Sequence, residues 1–186
     1  MPTVLLLDCS ASLLRPADPA DVSTTRQNVA QRGILHFLQV LENSQDFEPV
    51  CLMTMSSSSK VLVPFEDNPR TDHKKLRTAL YDIELEDTAN ITEAMKSACN
   101  ILREKYGVAA VGCQVVMVVD GAPSFAELRQ LRDVVNHLPK SITFHIVAMG
   151  SEDELQRCSI YQTLAERSRG IFVSARVPQD TGGYKN

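Results

Sequence analysis

Two runs of branched apolar residues, each ending in an aspartate, constrain the fold of this chain most strongly. Val4–Leu7 leads into Asp8 and the D-x-S-x-S motif of residues 8–12, and Cys113–Val119 leads into Asp120. Short continuous apolar runs of this kind are typical of strands buried on both faces of a parallel sheet. Parallel strands end at the same edge of a sheet, and open sheets bind ligands there. The sequence therefore predicts that the Asp8 and Asp120 carboxylates lie together at one edge.

The motif after the first run carries oxygen donors at alternate positions. Asp8, Ser10 and Ser12 supply one carboxylate and two hydroxyls, which are ligands that Mg²⁺ prefers. An Asp and two Ser residues after a strand also occur as plain turn formers and helix caps, so both interpretations stay open on the pentapeptide alone. The second aspartate expected at the same edge, Asp120, favours the metal site over a plain turn or cap. Because side chains alternate along an extended chain, we expect Cys9 to face away from the donors and pack.

Strand and helix patterns alternate along the rest of the chain. A polar loop containing Pro16 and Pro19 follows the motif, and Ser56–Ser59 form the predicted turn of a hairpin, for which a solvated turn is favoured over a phosphorylation site. The helix patterns cover 29–41, 76–80, 91–106, 125–138 and 152–169, and the strand patterns cover 4–7, 50–55, 60–65, 113–119, 142–149 and 171–174.

This order predicts an α/β fold: a doubly wound, mostly parallel sheet with one antiparallel edge hairpin and helices on both faces. The first strand and the Asp120 strand should be neighbours where the strand order reverses. At 186 residues and 44% apolar composition, the chain is long enough for one buried core. We predict a single domain over 1–177, with 178–186 as a linker or the start of a further region.

Composition also narrows the classes of function. A net charge of −4 without a block of Lys or Arg gives no electrostatic footprint for nucleic acid. Five cysteines without a C-x-x-C pair favour reduced thiols in the cytosol or nucleus. No apolar stretch reaches the length of a membrane span, so we expect a soluble protein.

An enzyme remains as an alternative. Asp8 at the end of a first strand could serve a metal-dependent phosphohydrolase, but such enzymes of the haloacid-dehalogenase type need a second Asp two residues later, where this chain has Ser10. Glycine-rich phosphate loops and G-x-S-x-G elbows are missing from the sequence. The four histidines are scattered without metal-ligand spacing and are expected to be solvated or structural. We therefore favour a non-catalytic protein.

Three segments resemble a known family. The D-C-S-A-S string of residues 8–12, the capped helix containing 93–95, and V-V-D-G at 118–121 resemble the three loops of a von Willebrand factor A domain and its metal-ion-dependent adhesion site (MIDAS). The resemblance implies the sheet predicted above, with Mg²⁺ at its edge and one coordination position open to a carboxylate of a partner protein. In this arrangement Ser10 and Ser12 are hydroxyl ligands, Asp8 supplies charge directly or through water, and Asp120 holds a bound water.

The second-loop donor that the resemblance implies has no direct counterpart. The family supplies a Thr, but the matching position is Ala89, so the adjacent Thr88 is the tentative ligand. Thr92 lies inside the capped helix, and its hydroxyl is expected to hydrogen-bond to nearby backbone or to face solvent. Val119 stands where many relatives have Thr. A working magnesium site and a degenerate one both stay open.

Longer strings match one member of the family along nearly the whole chain. They are MPTVLLLDCSASLLRP at the start, LVPF at 62–65, ACNIL at 98–102 and CQVVMVVDG at 113–121. The resemblance implies a non-catalytic scaffold subunit of a nuclear complex that processes RNA. It also implies protein partners within that complex, and contact with nucleic acid only through the larger module.

Overall fold

A computed structural model describes residues 1–18, 21–43, 48–66, 73–86 and 88–176. The strands are β1 Thr3–Asp8, β2 Pro16–Asp18, β3 Asp21–Thr25, β4 Val50–Met55, β5 Lys60–Val63, β6 Cys113–Asp120, β7 Ile142–Gly150 and β8 Phe172–Arg176. The helices are α1 Arg26–Asn43, α2 Lys74–Tyr81, α3 Ile91–Tyr106, α4 Phe125–His137, α5 Glu152–Gln156 and α6 Ser159–Arg167. A short 3-10 helix spans Ala11–Leu14.

The main sheet has the order β5-β4-β1-β6-β7-β8. All its neighbouring strands are parallel except β5, which runs antiparallel to β4. β1 therefore lies between β4 and β6, where the chain changes direction across the sheet. This arrangement confirms the predicted fold class and the predicted pairing of the Asp8 strand with the Asp120 strand.

Alternating side chains of β1 divide the core between the two faces of the sheet. Val4 and Leu6 pack on the face covered by α3, α4 and α6, whereas Leu5 and Leu7 pack on the face covered by α1 and α2. All four side chains are at most 2% exposed. Burial on both faces explains the unbroken apolar run in the sequence, because a strand with one solvated face would alternate.

Two segments differ from the sequence predictions. The predicted polar loop contains the hairpin β2–β3, whose strands are short, polar and partly exposed and therefore lack an apolar signal. The predicted last helix is two helices, α5 and α6, separated by Arg157 and Cys158. The Cys158 thiol is buried and lies 3.5 Å from the Gly121 carbonyl oxygen, next to the end of β6.

The predicted linker at 178–186 and the domain boundary at 177 lie outside the described residues, so both stay predictions. Within the described ranges, no helix combines the length and the apolar character needed to cross a lipid bilayer.

Two glycines offer a matched test of the packing. A Cβ at Gly170 would overlap the backbone carbonyl of Phe144 in β7, whereas a Cβ at Gly33 in α1 would meet nothing within 4 Å. We expect Gly170→Ala to lower the free energy of unfolding by about 3 kcal/mol, because the overlap requires a backbone shift. We expect Gly33→Ala to raise it by about 0.5–1 kcal/mol through helix propensity. Urea unfolding measures both, and equal stability of the two variants would contradict this packing.

Candidate metal centre

A cleft of about 600 Å³ opens at the carboxyl ends of β1 and β6. It contains every residue that the sequence analysis assigned to the metal site. The lining residues are Asp8, Ser10, Ser12, Ser57, Thr88, Ala89, Asn90, Ile91, Asp120, Ala122, Pro123, Ser124, Glu127, Gln130 and Tyr161.

The first loop is held by the Asp8 carboxylate. Its Oδ1 accepts a hydrogen bond from the Ser10 backbone N–H at 2.8 Å, and its Oδ2 accepts one from the Asp120 N–H at 3.1 Å. Asp8 is 3% exposed, and this burial raises the pKa of its carboxyl, which the two hydrogen bonds lower only in part. A cation in the cleft would therefore stabilise the charged form. The Ser10 and Ser12 hydroxyl oxygens lie 2.7 Å apart, so both hydroxyls point to the same part of the cleft.

The second loop brings Thr88 to the cleft. Thr88 is exposed and lines the cleft, and the Asn90 side chain accepts a hydrogen bond from the Glu93 N–H and caps α3 as predicted. The sequence prediction for Thr92 is wrong. Its side chain is buried, and its hydroxyl has no hydrogen-bond partner among the described residues. Thr92 faces α4 rather than the loop, since it borders a separate pocket with Gln130.

Glu86 ties the second loop to the first loop and to the serine turn. Its backbone N–H donates to the Cys9 carbonyl at 2.7 Å, and its side chain accepts from the Ser57 hydroxyl at 2.6 Å and from Lys60 at 2.8 Å. Hydrogen bonds from Lys60 and Ser57 lower the pKa of Glu86 to about 2. The serine turn is solvated only in part, because Ser56 is 2% exposed.

The third loop holds Asp120 in a buried ion pair. Asp120 Oδ1 lies 2.6 Å from an Nη of Arg26, and the two side chains are 1% and 7% exposed. The other Arg26 Nη lies 3.1 Å from Glu154. Arg26 was not among the residues predicted from the sequence. A signal was present, because a cation in the first turn of a helix opposes the helix dipole, and α1 has no acidic residue there to offset it.

The residues present fit a small hard cation. Asp120 Oδ2 and the Tyr161 hydroxyl are buried without a hydrogen-bond partner among the described residues, and both residues line the cleft beside the two serine hydroxyls. Unpaired buried polar atoms are costly, so a group that satisfies Asp120 Oδ2 is expected there. The described residues contain no cluster of three or more His, Cys, Asp or Glu side chains suited to a metal. Ser10, Ser12 and Thr88 would thus provide the hydroxyl share of an oxygen donor set.

The cysteines and histidines do not contribute reactive groups to the cleft. Cys9 is fully buried and packs with the core on the α1 face, as the alternation predicted. Burial, followed by the charges of Asp8 and Glu86, raises the pKa of the Cys9 thiol to about 12. None of the four histidines is among the lining residues.

The fold and this loop arrangement define a von Willebrand factor type A domain. The family model of that domain matches residues 3–122, and the chain belongs to the family.

Among its relatives, Integrator complex subunit 14 of Gallus gallus and that of Homo sapiens are each 29% identical to it over 170 residues. Each alignment covers 84% of this chain and 32% of the relative. The chain thus spans about a third of the length of these relatives.

Solved structures agree on the fold. The conserved hypothetical protein BatB from Bacteroides thetaiotaomicron aligns with a TM-score of 0.70 at 17% identity, over 96% of this chain and 91% of BatB. The SpRpn10 VWA domain aligns with a TM-score of 0.66 at 19% identity, over 96% and 89% of the two chains. At these identities the likeness concerns the fold alone.

Thiol labelling tests whether the cleft holds a reactive cysteine. All five cysteines are free and buried, so we expect the folded protein to react with less than one equivalent of an aromatic disulfide reagent at pH 8, and the unfolded protein with all five. Mass spectrometry of the labelled peptides identifies each site. Rapid labelling of Cys9 in the folded protein, at the rate of a small free thiol, would show that this side chain is accessible and ionisable, contrary to its burial.

Proposed function

We propose that the chain is a non-catalytic protein-interaction domain of an Integrator-type nuclear complex. Its cleft would dock an acidic side chain of another protein with the help of Mg²⁺. The observation that carries the proposal is the convergence of the Asp8, Ser10, Ser12 and Asp120 oxygens on one cleft, with Asp120 Oδ2 unpaired among the described residues. The similarity to Integrator complex subunit 14 supports the choice of complex.

The residues of the chain would have different roles at such a site. Ser10 and Ser12 would offer neutral hydroxyl ligands, Thr88 would add a third from the second loop, and Asp8 and Asp120 would supply negative charge directly or through water. A bound Mg²⁺ supplies an electrophilic centre for an incoming carboxylate. Because few of its direct ligands would be anionic, the bound ion would keep positive charge for the carboxylate of the partner protein. The backbone hydrogen bonds to Asp8 hold the first loop in place.

The partners follow from the resemblance to subunit 14. We propose Integrator subunits 13 and 10 as the partners within the complex, and transcription factors as further candidates for the cleft. The complex acts in RNA 3′-end processing and transcription attenuation. The net charge of −4 supports contact with nucleic acid through the larger module and not through this domain.

Two features disfavour the alternative, a metal-dependent phosphohydrolase with Asp8 as its nucleophile. Asp8 is 3% exposed, which leaves little of its carboxylate open to a bulky phosphate ester. Position 10 is a serine, which cannot serve as the general acid. Turnover of an aryl phosphate by the wild-type protein, lost in Asp8→Asn, would reverse this conclusion.

Calorimetric titration with Mg²⁺ and Mn²⁺ tests the proposal. We expect saturable binding of one ion, weakened at least about tenfold in Ser12→Ala and in Asp8→Ala because each variant removes a ligand. Binding should raise the melting temperature of the wild type by mass action. Ser58→Ala is the matched control, since Ser58 is an exposed serine of the neighbouring turn that does not line the cleft.

Ser12→Ala is the more discriminating variant, because it removes a hydroxyl without leaving a buried charge unpaired. A folded wild-type protein that releases no heat with either ion and shows no shift in melting temperature would contradict the metal-dependent site. Equal weakening in Ser12→Ala and Ser58→Ala would also contradict it.

A further inference from the structure

A permanent cation of the protein lies beside the cleft and pairs with one of its lining carboxylates, Asp120. Arg26 is the first residue of α1, and its guanidinium bridges Asp120 in the third loop and Glu154 in α5, with N–O distances of 2.6 and 3.1 Å. Its side chain is 7% exposed, and its Nε has no hydrogen-bond partner among the described residues. Burial of a charge is costly unless the charge is paired. The two carboxylates therefore hold this side chain next to Asp120, at the end of β6.

The position of Arg26 is fixed by more than one contact. Glu154 Oε2 also accepts the Ser151 backbone N–H at 2.7 Å within the capping box of α5, so the carboxylate that orients Arg26 is itself anchored. Arg15 lies 3.0 Å from Glu154 Oε1 and offsets the charge of that carboxylate from the solvent side. The contact of Arg26 with Asp120 is the shorter of its two ion pairs.

The pairing changes the charge that an incoming metal ion would meet. The ionised carboxylates of Asp8 and Asp120 would together carry −2, and the Arg26 guanidinium pairs with one of the two. Coulomb interactions at short range are strong where water is excluded. A divalent ion is therefore bound less tightly than the two carboxylates alone would bind it, and it keeps more positive charge for a partner's carboxylate.

We infer that Arg26 is a resident counter-ion of the cleft, whose guanidinium neutralises Asp120 and sets how strongly the cleft binds a divalent cation. The inference rests on the proposed function and names the residue that regulates it. Asp120 thus has a partner of opposite charge within the protein itself. Arg26 acts through Asp120 and is a positioning residue.

Titration of Arg26→Met with Mn²⁺ tests the inference, with calorimetry and thermal unfolding as the two readouts. We expect Arg26→Met to melt at a lower temperature than the wild type in EDTA, because Asp120 loses its partner. We expect its affinity for Mn²⁺ to be at least about tenfold higher than that of the wild type. Saturating Mn²⁺ should also raise its melting temperature by more than it raises that of the wild type. Arg26→Lys, which keeps the charge, should bind Mn²⁺ as the wild type does.

Arg15→Met is the matched control, because Arg15 contacts the same Glu154 but not Asp120, and its Mn²⁺ affinity should equal that of the wild type. If Arg26→Met does not fold in EDTA, Arg26→Gln takes its place, since the amide can still donate to Asp120 without a charge.

The outcomes separate this inference from the proposed function. Binding to both the wild type and Arg26→Met with equal affinity overturns the inference and leaves the proposed function standing. Binding to Arg26→Met alone supports the inference and overturns metal-dependent docking by the wild type. Binding to neither folded protein overturns both.

Discussion

The parallel pairing of β1 with both β4 and β6 is the constraint on which the rest of the structure depends. All six residues of β1 are buried, so its register is fixed by packing on both faces, and a slip of one residue would exchange the two sets of core side chains. The same register brings the Asp120 N–H within 3.1 Å of Asp8 Oδ2. The hydrophobic core and the charged cleft are therefore set by one alignment of strands.

Charge balance in the cleft follows from this alignment. Two carboxylates forced together at a sheet edge repel each other unless a cation lies between or beside them. The structure provides one such cation in Arg26, and the hydroxyls of Ser10 and Ser12 offer ligands for another. The second cation is the one proposed for the metal site, whereas Arg26 is seen directly in the contacts of this chain.

The fold and the carboxylate pair could be predicted from sequence because their signals are local. Apolar runs fix the strands, and the strand order then brings Asp8 to Asp120. The only sequence signal for Arg26 is a basic residue in the first turn of a helix, and this signal does not identify its partners, which lie 94 and 128 residues away. The β2–β3 hairpin lacks an apolar pattern. Thr92 was misplaced because its burial depends on how α3 packs against α4, which periodicity alone does not give.

The most direct test of the account is a crystal structure of the protein grown with saturating Mn²⁺, with an anomalous difference map calculated at the metal absorption edge. We expect one peak in the cleft in contact with the Ser10 and Ser12 hydroxyls, with Arg26 still paired to Asp120. An ordered cleft without a peak, or a metal that displaces Arg26 from Asp120, would contradict it.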